Sequence, residues 1–398
     1  MINPSSAPRV IVIGGSLGGM MAALALREVG CAVDVFERVP RRLEGHGAGL
    51  RIVPEMARLL RERAGVDDLE AVSTFVRRFR HIGAGNRIIS EVETPGQFTS
   101  WGSLHRALTA RFDTERYHLG MECIDVALDA TGATVRFADG RSERADLVVF
   151  ADGILSTGRR QLAPEAQLAY AGYITWRGYA PSHAVSAATR AVMEDSICYA
   201  TIPYSHIGMY PIPDPTNRDA AARYFNFVWY RNVAEGAPLD ELMTDRGGVR
   251  RPISLPAGGP QQRFIDEMRA DARRLLPEMA ADIVLNTGEP FLQVLYDLSA
   301  PRMAYGRACL VGDAAFATRP HAGAATAKAS VNAWALADCL VAANGDVDAA
   351  LKAWEPEQLE LGRAFIARNQ YMGRVSLVEN RYNPTAPDQM PGLFGPGR

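Results

Sequence analysis

The stretch Val10-Ile11-Val12-Ile13-Gly14-Gly15-Ser16-Leu17-Gly18-Gly19-Met20-Met21-Ala22-Ala23 decides how this chain folds. Its first four residues are apolar and β-branched with no polar alternation, which marks a strand buried on both faces. Glycines follow at once. The small residues after them, through Leu26, predict a helix packed tightly on a sheet, with Gly30 as its C-terminal stop. Ala32-Val33-Asp34-Val35-Phe36 predicts a second strand, and it ends on Glu37.

A strand, a glycine turn that opens a helix, and a second strand ending in an acid together predict a dinucleotide site. Glycines let backbone N–H groups approach a pyrophosphate, and the helix N-terminus adds its positive dipole end. The acid, about twenty residues beyond the first glycine, has the spacing that reaches a ribose hydroxyl. Gly14, Ser16, Leu17 and Gly18 are therefore the candidate pyrophosphate cradle, and Glu37 is the candidate ribose ligand. Ser16 takes the place of the middle glycine, and its small side chain still permits close approach.

Outward from this unit, 398 residues suffice for two or three domains. A hydrophobic fraction of 47% with 22% charged residues is that of an ordinary globular chain. The formal net charge of −2 gives no electrostatic reason to expect nucleic acid or an anionic membrane as partner. No apolar run approaches the ~18 residues of a membrane span. Met1-Ile2-Asn3-Pro4-Ser5-Ser6 has neither the basic nor the apolar segment of a secretory signal. The five cysteines are scattered with no C-x-x-C pair, which argues against a disulfide framework and a structural zinc site. His46, His81, His105, His118 and His183 show no metal-ligand spacing, so no metal is expected. The expectation is a reduced, cytoplasmic protein.

Gly45-His46-Gly47-Ala48-Gly49-Leu50-Arg51 alternates glycine in a way that implies a flexible surface loop or backbone passing close to a ligand, and the nucleotide fingerprint just upstream favours the ligand. Helices are predicted over 54–64 and 104–112, and strands over 121–128 and 134–137 around a turn at 129–132. Ala145-Asp146-Leu147-Val148-Val149-Phe150-Ala151-Asp152-Gly153 predicts a further buried strand whose carboxyl end lies beside that of the first. From 162 to 300 the texture turns alternating and aromatic, as in Tyr173-Ile174-Thr175-Trp176-Arg177-Gly178-Tyr179. That predicts an antiparallel sheet roofing a pocket, with helices at 238–246 and 262–276. Ala308-Cys309-Leu310-Val311 then leads to Gly312-Asp313-Ala314-Ala315, and Arg319-Pro320-His321-Ala322-Gly323 opens a helix through 340. A last helix over 347–365 precedes a Pro- and Gly-rich tail, 383–398, read as an extended arm or a partly disordered segment. The fold class is α/β: a Rossmann-like nucleotide-binding domain, an inserted antiparallel-sheet domain and a helical C-terminal region.

Three separated motifs now stand together: the glycine turn 14–19, Ala151-Asp152-Gly153, and Gly312-Asp313-Ala314-Ala315. Their order and spacing resembles the FAD-dependent aromatic hydroxylases, the group A flavin monooxygenases typified by p-hydroxybenzoate hydroxylase. The likeness runs through almost the whole chain. Tyr170-Ala171-Gly172-Tyr173-Ile174-Thr175-Trp176-Arg177-Gly178, Asn232-Val233-Ala234-Glu235-Gly236, Leu239-Asp240-Glu241-Leu242-Met243-Thr244-Asp245 and Arg319-Pro320-His321 extend it toward the dihydroxypyridine 3-hydroxylase branch. The resemblance implies an FAD-binding domain of 1–72, 98–165 and 300–372, a substrate domain of 73–97 and 166–299, and a tail of 373–398. It implies that Glu37 holds the adenosine ribose, that Arg38 lies over the adenine, and that Asp152 serves FAD and reduced nicotinamide alike. Asp313 is then the ribityl ligand. The N–H groups of 320–326, with Pro320, Ala325 and Thr326, face flavin N1 and O2, where a helix N-terminus stabilises the reduced anion. Departures from the pattern are Phe150, Trp101 in place of an arginine, Val331-Asn332-Ala333 in place of an acidic pair, and alanines at 322 and 325. Phosphate neutralisation then falls to Arg106 or Arg51.

One nucleotide fingerprint is present, and the resemblance implies that NADPH or NADH docks transiently, reduces the flavin and leaves. Oxygen then adds at flavin C4a, and the hydroperoxide delivers OH to an electron-rich hydroxypyridine or phenol-like ring. The protein has to keep the site dry and take a proton from the substrate hydroxyl. His206 and Tyr210 lie four apart on one predicted strand and so share a face. A hydroxynicotinate-hydroxylating relative has the same His-x-x-x-Tyr spacing at its substrate site. These two, with His321 as base or anchor and Arg51 as partner for a substrate oxygen, are the catalytic candidates. Each also has a plain structural reading: a half-buried sheet pair, a helix-capping histidine, a solvated arginine. The expected partners are a small aromatic substrate and O2, with a homodimer as an option. Rival functions are epoxidation or Baeyer–Villiger oxidation of a non-aromatic substrate, an FAD-binding sensor without turnover, and an NAD-dependent dehydrogenase.

Overall fold

The computed structural model describes residues 1–41, 43, 48–215 and 222–395. The readings at Gly45, His46 and Gly47 fall outside the described residues. The N-terminal apolar run becomes the strand Arg9–Ile13, an interior strand of a six-stranded sheet. Ala32–Glu37 pairs with it on one side and Leu147–Phe150 on the other, both parallel. Ile13 is in register with Phe36 and with Phe150, so the three strands end together. Ala308–Leu310 extends the parallel run beyond Leu147–Phe150, and Tyr117–Leu119 extends it beyond Ala32–Glu37. Val10, Ile11 and Val12 have no exposure, as a sheet covered on both faces requires. The helix Leu17–Glu28 packs against the helix Ala325–Ala342. Small residues let the two close up: a Cβ on Gly18 would lie 3.3 Å from the Ala329 Cβ.

The second sheet has nine strands among the described residues. Phe291–Asp297, Ala169–Pro181, Arg223–Asn232, Ser205–Pro213 and Ser196–Ile202 form the antiparallel array that the aromatic alternation predicts. The sheet continues through Thr74–Ile82, paired parallel to Ser196–Ile202, to Ile88–Ser100 and Gly49–Ile52. Sequence reading placed no strand between 74 and 100. Thr74–Ile82 carries three arginines, and Ile88–Ser100 is exposed or half-buried up to its last three residues, so neither shows a clear apolar alternation.

Three boundaries are corrected. Residues 145–153 are not one strand: Ser142–Ala145 belongs to a separate three-stranded sheet. The chain changes partners at Asp146, whose Oδ2 accepts the Arg9 N–H at 2.7 Å. The helix expected from 319 starts at Ala325, because Pro320–Ala322 is a 3-10 turn ended by Gly323 at φ 61°. The last helix runs Val347–Leu377 instead of stopping at 365, with Pro356 inside it. A long buried stripe that includes Trp354, Phe365 and Met372 outweighs the hydrogen bond lost at the proline.

The tail is no free arm. Gly392 N–H donates to Ala322 O at 3.0 Å and Leu393 is buried, so the tail packs on the turn at 320–323. No helix among the described residues is long and apolar enough to cross a membrane.

Candidate active site

Both glycine turns and the aromatic sheet border one cavity of about 610 Å³, a size typical of small-molecule sites. Gly14, Ser16, Leu17 and Gly18 edge it, with Glu37 and Arg38 from the end of the second strand. Asp152 and Asp313 reach it from neighbouring strand ends, and Pro320, Ala325 and Thr326 from the turn and helix that follow. Tyr210 and Arg51 face it from the second sheet. Arg106, His206 and His321 do not border it.

The first turn is shaped by the absence of side chains. Gly14 has φ 103°, and a Cβ there would sit 2.5 Å from Ala151 O. A Cβ on Gly19 would sit 1.8 Å from Gly14 O. The helix then starts at Ser16 with no side-chain cap, so its first N–H groups stand uncapped at the cavity edge. That arrangement accepts an anionic oxygen. Glu37 braces the same turn: Oε2 accepts the Gly15 N–H at 2.8 Å and Oε1 the Val39 N–H at 2.9 Å. A carboxylate retains lone pairs beyond those two bonds.

Asp152 Oδ2 accepts the Thr157 N–H at 2.7 Å, while Oδ1 is buried with no partner among the described residues. Burial raises the pKa of this carboxyl. A buried oxygen with nothing to accept from calls for a donor on a bound molecule. The departure at Phe150 is absorbed by Gly158, whose Cβ would lie 2.2 Å from the Phe150 Cγ.

At the second turn stands Asn332, where the family resemblance led to the expectation of an acid. Its Oδ1 accepts the Gly312 N–H at 3.0 Å, and its Nδ2 donates to Gln358 Oε1 at 2.8 Å. An uncharged amide thus holds this buried turn. Lys328, unassigned from sequence, is buried beneath it and donates to Asp313 Oδ1 at 3.1 Å and to the Phe316 carbonyl. Burial lowers its pKa, against the pull of Asp313. Its signal in the sequence is isolation: one lysine in an alanine-rich helix.

At the other end of the cavity, Tyr210 O–H donates to Gly49 O at 2.6 Å, and its ring stacks on Phe98 at 4.5 Å. Arg51 Nη1 donates to Pro391 O at 3.4 Å, which brings the tail to the cavity wall. His206 and His321 lie behind that wall. Tyr230 borders the cavity and stacks on both, at 4.1 Å from His206 and 4.5 Å from His321. Tyr173 Oη accepts from Arg319 Nη1 at 3.0 Å and shares a hydrogen bond with His321 Nε2 at 2.7 Å. His206 Nδ1 pairs with Ser376 Oγ at 2.6 Å. Burial pushes both imidazoles down, His206 to about 3. Burial thus favours the neutral form of both, and Tyr230 stands between them and the cavity. The shared strand face of His206 and Tyr210 is real, but four residues span about 13 Å, which carries His206 past the cavity.

The FAD binding domain-like family matches residues 170–297. The 2,6-dihydroxypyridine 3-monooxygenase of Paenarthrobacter nicotinovorans is 37% identical over 98% of this chain and 94% of its own length. The chain belongs to the FAD-dependent aromatic hydroxylases. A solved 2,6-dihydroxypyridine-3-hydroxylase from Arthrobacter nicotinovorans matches this hydroxylase with a TM-score of 0.91 at 35% identity, over 97% of each chain. The 3-amino-4-hydroxybenzoate 2-monooxygenase of Streptomyces cremeus is 28% identical over 88% of this chain and 83% of its own. The hydroxylase is therefore an FAD-dependent monooxygenase, with the fold class that its glycine turns predict.

Proposed function

We propose that this hydroxylase uses FAD, NADH or NADPH, and O2 to hydroxylate an electron-rich hydroxy-aromatic ring, a hydroxypyridine or a phenol. One observation carries the reading: the strand ends bearing Gly14, Asp152 and Gly312 open on the same cavity as the aromatic face of the second sheet. The names of the relatives point the same way, since dihydroxypyridine and aminohydroxybenzoate are both electron-rich rings.

The residues present fit FAD. Uncapped N–H groups at 16–18 suit a pyrophosphate, Glu37 and Arg38 suit the adenosine, and the Asp313 carboxylate suits the ribityl hydroxyls. The turn and helix start at 320–326, which also border the cavity, would hold the flavin ring. When bound, the reduced flavin supplies the oxygen chemistry. The chain itself binds, orients and excludes water. Tyr210 and Arg51 contact the ring to be hydroxylated, while Tyr199, Tyr230 and Pro391 wall the cavity against solvent.

Purified protein should carry a flavin spectrum, and hydroxypyridines or phenols should raise NAD(P)H oxidation. Mass spectrometry should find one atom of labelled dioxygen in the product. Coupling to alkenes or ketones alone would move the assignment to epoxidation or Baeyer–Villiger oxidation. Flavin that no nicotinamide reduces, whatever ring is added, would make the protein a non-catalytic flavoprotein.

A further inference from the structure

Arg177 has no role in the account so far. It projects from the Ala169–Pro181 strand to the cavity, in register with Val228, which also borders it. Its Nε donates to Thr175 Oγ1 at 3.3 Å. Among the described residues its two Nη groups meet no acceptor and no carboxylate pairs with it. Protein surrounds the side chain, so its remaining exposure is to the cavity and not to bulk water. Burial lowers its pKa, and its electrostatic neighbours are the phenols of Tyr210 and Tyr230.

A buried guanidinium without a counter-ion is unfavourable until an anion joins it. Arg51, also at the cavity, differs: Glu55 is among its electrostatic neighbours, and Pro391 O accepts from it. Beside Arg177, the Gln293 amide and the Tyr230 hydroxyl also border the cavity without a hydrogen-bond partner among the described residues. Three unengaged polar groups from three adjacent strands thus share one sheet face, because Thr175 is in register with both Gln293 and Tyr230.

The geometry points to Arg177, with Gln293 and Tyr230, as an anion-binding subsite that selects a ring bearing a negative charge, either an ionised ring hydroxyl or a ring carboxylate. This rests on the hydroxylase reading and adds the charge class of its substrate. The guanidinium fork takes an oxygen in a fixed plane, which orients the ring as well as attracting it. An ionised hydroxyl held there also keeps the ring electron-rich. Arg177 is a substrate-positioning residue in this scheme.

The test measures ligand binding to FAD-loaded protein from the change in flavin absorbance. Two matched pairs separate the sources of charge: 2,6-dihydroxypyridine against 2,6-dimethoxypyridine, and 6-hydroxynicotinate against 6-hydroxynicotinamide. Arg177→Met should weaken the charged member of at least one pair about 10- to 100-fold and leave its neutral member within about twofold. The pair that responds tells an oxyanion from a carboxylate. Arg177→Lys should recover part of the loss, and Arg177→Gln provides a second variant should the methionine variant lose its flavin. Ligand-free Arg177→Met should also melt above the wild type, because an unpaired buried charge is gone. Equal loss for charged and neutral ligands, or no loss for either, overturns the subsite. The hydroxylase reading is judged separately, by flavin content and its reduction by NAD(P)H in the wild type.

Discussion

The nucleotide end and the ring end of the cavity are built by different means. At the nucleotide end, three parallel strands stop together and the backbone does the work: glycines at 14, 19 and 312 bring N–H groups and carbonyls into contact. At the ring end, side chains from five strands between 169 and 297 face inward, joined by Arg51 and Pro391 from two further parts of the chain. At Gly14 and Gly19 the first construction has no room for an added atom. The second depends on which residues come into register, and a substitution there changes selectivity before it changes the fold.

The sharpest break of this contrast is Gly19→Ala. Its Cβ would meet Gly14 O at 1.8 Å, so the turn must shift. We expect bound flavin to disappear from the absorbance spectrum and stability to drop by about 3 kcal/mol in denaturant titration. A yellow variant of wild-type stability would mean that this turn does not hold the cofactor.

Acid should probe the ring end. The folded-state pKa values of His206 and His321 lie below the ordinary 6.5, so below that pH the unfolded chain binds more protons. Stability is full above about pH 6.5 and falls toward the folded value of about 3 for His206. The slope is about 1.4 kcal/mol per pH unit for each histidine. Melting temperatures between pH 7 and pH 5 should therefore decline more steeply in the wild type than in His206→Phe. Parallel declines would show that His206 is protonated in the folded protein.

Tyr210→Phe should have the smallest effect. It removes the hydrogen bond to Gly49 O, worth about 1 kcal/mol, and should raise KM several-fold with flavin content unchanged. Flavin loss in that variant would show that the two ends are not separable.

The same contrast explains what was legible in the sequence. Each glycine in the first turn answers a steric demand made within a few residues or by one adjacent strand, so the local pattern carries it. The places of Asp152 and Asp313 have a related reason: Asp152 follows an apolar strand that ends beside the first, and Asp313 follows one that ends beside the strand of Asp152. That His206 and His321 stand behind the cavity wall was not legible, because spacing along a strand shows which face a side chain takes but not where a cavity ends. Lys328, Arg177 and Gln293 were passed over because their surroundings come from other strands and helices. Thr74–Ile82 and Ile88–Ser100 gave no clear apolar alternation, the one bearing three arginines and the other exposed or half-buried over most of its length.

By itself the sequence determined the nucleotide half, since a buried strand, a glycine turn and a terminal acid leave the backbone few alternatives. It also determined that an antiparallel aromatic sheet follows, through the two-residue period of its side chains. Only the tertiary structure decided which polar groups reach the cavity and which are sealed behind it. Register between distant strands and the depth of burial set the partners and charge of Arg177, Tyr230 and the two histidines, and neither quantity is local in the chain.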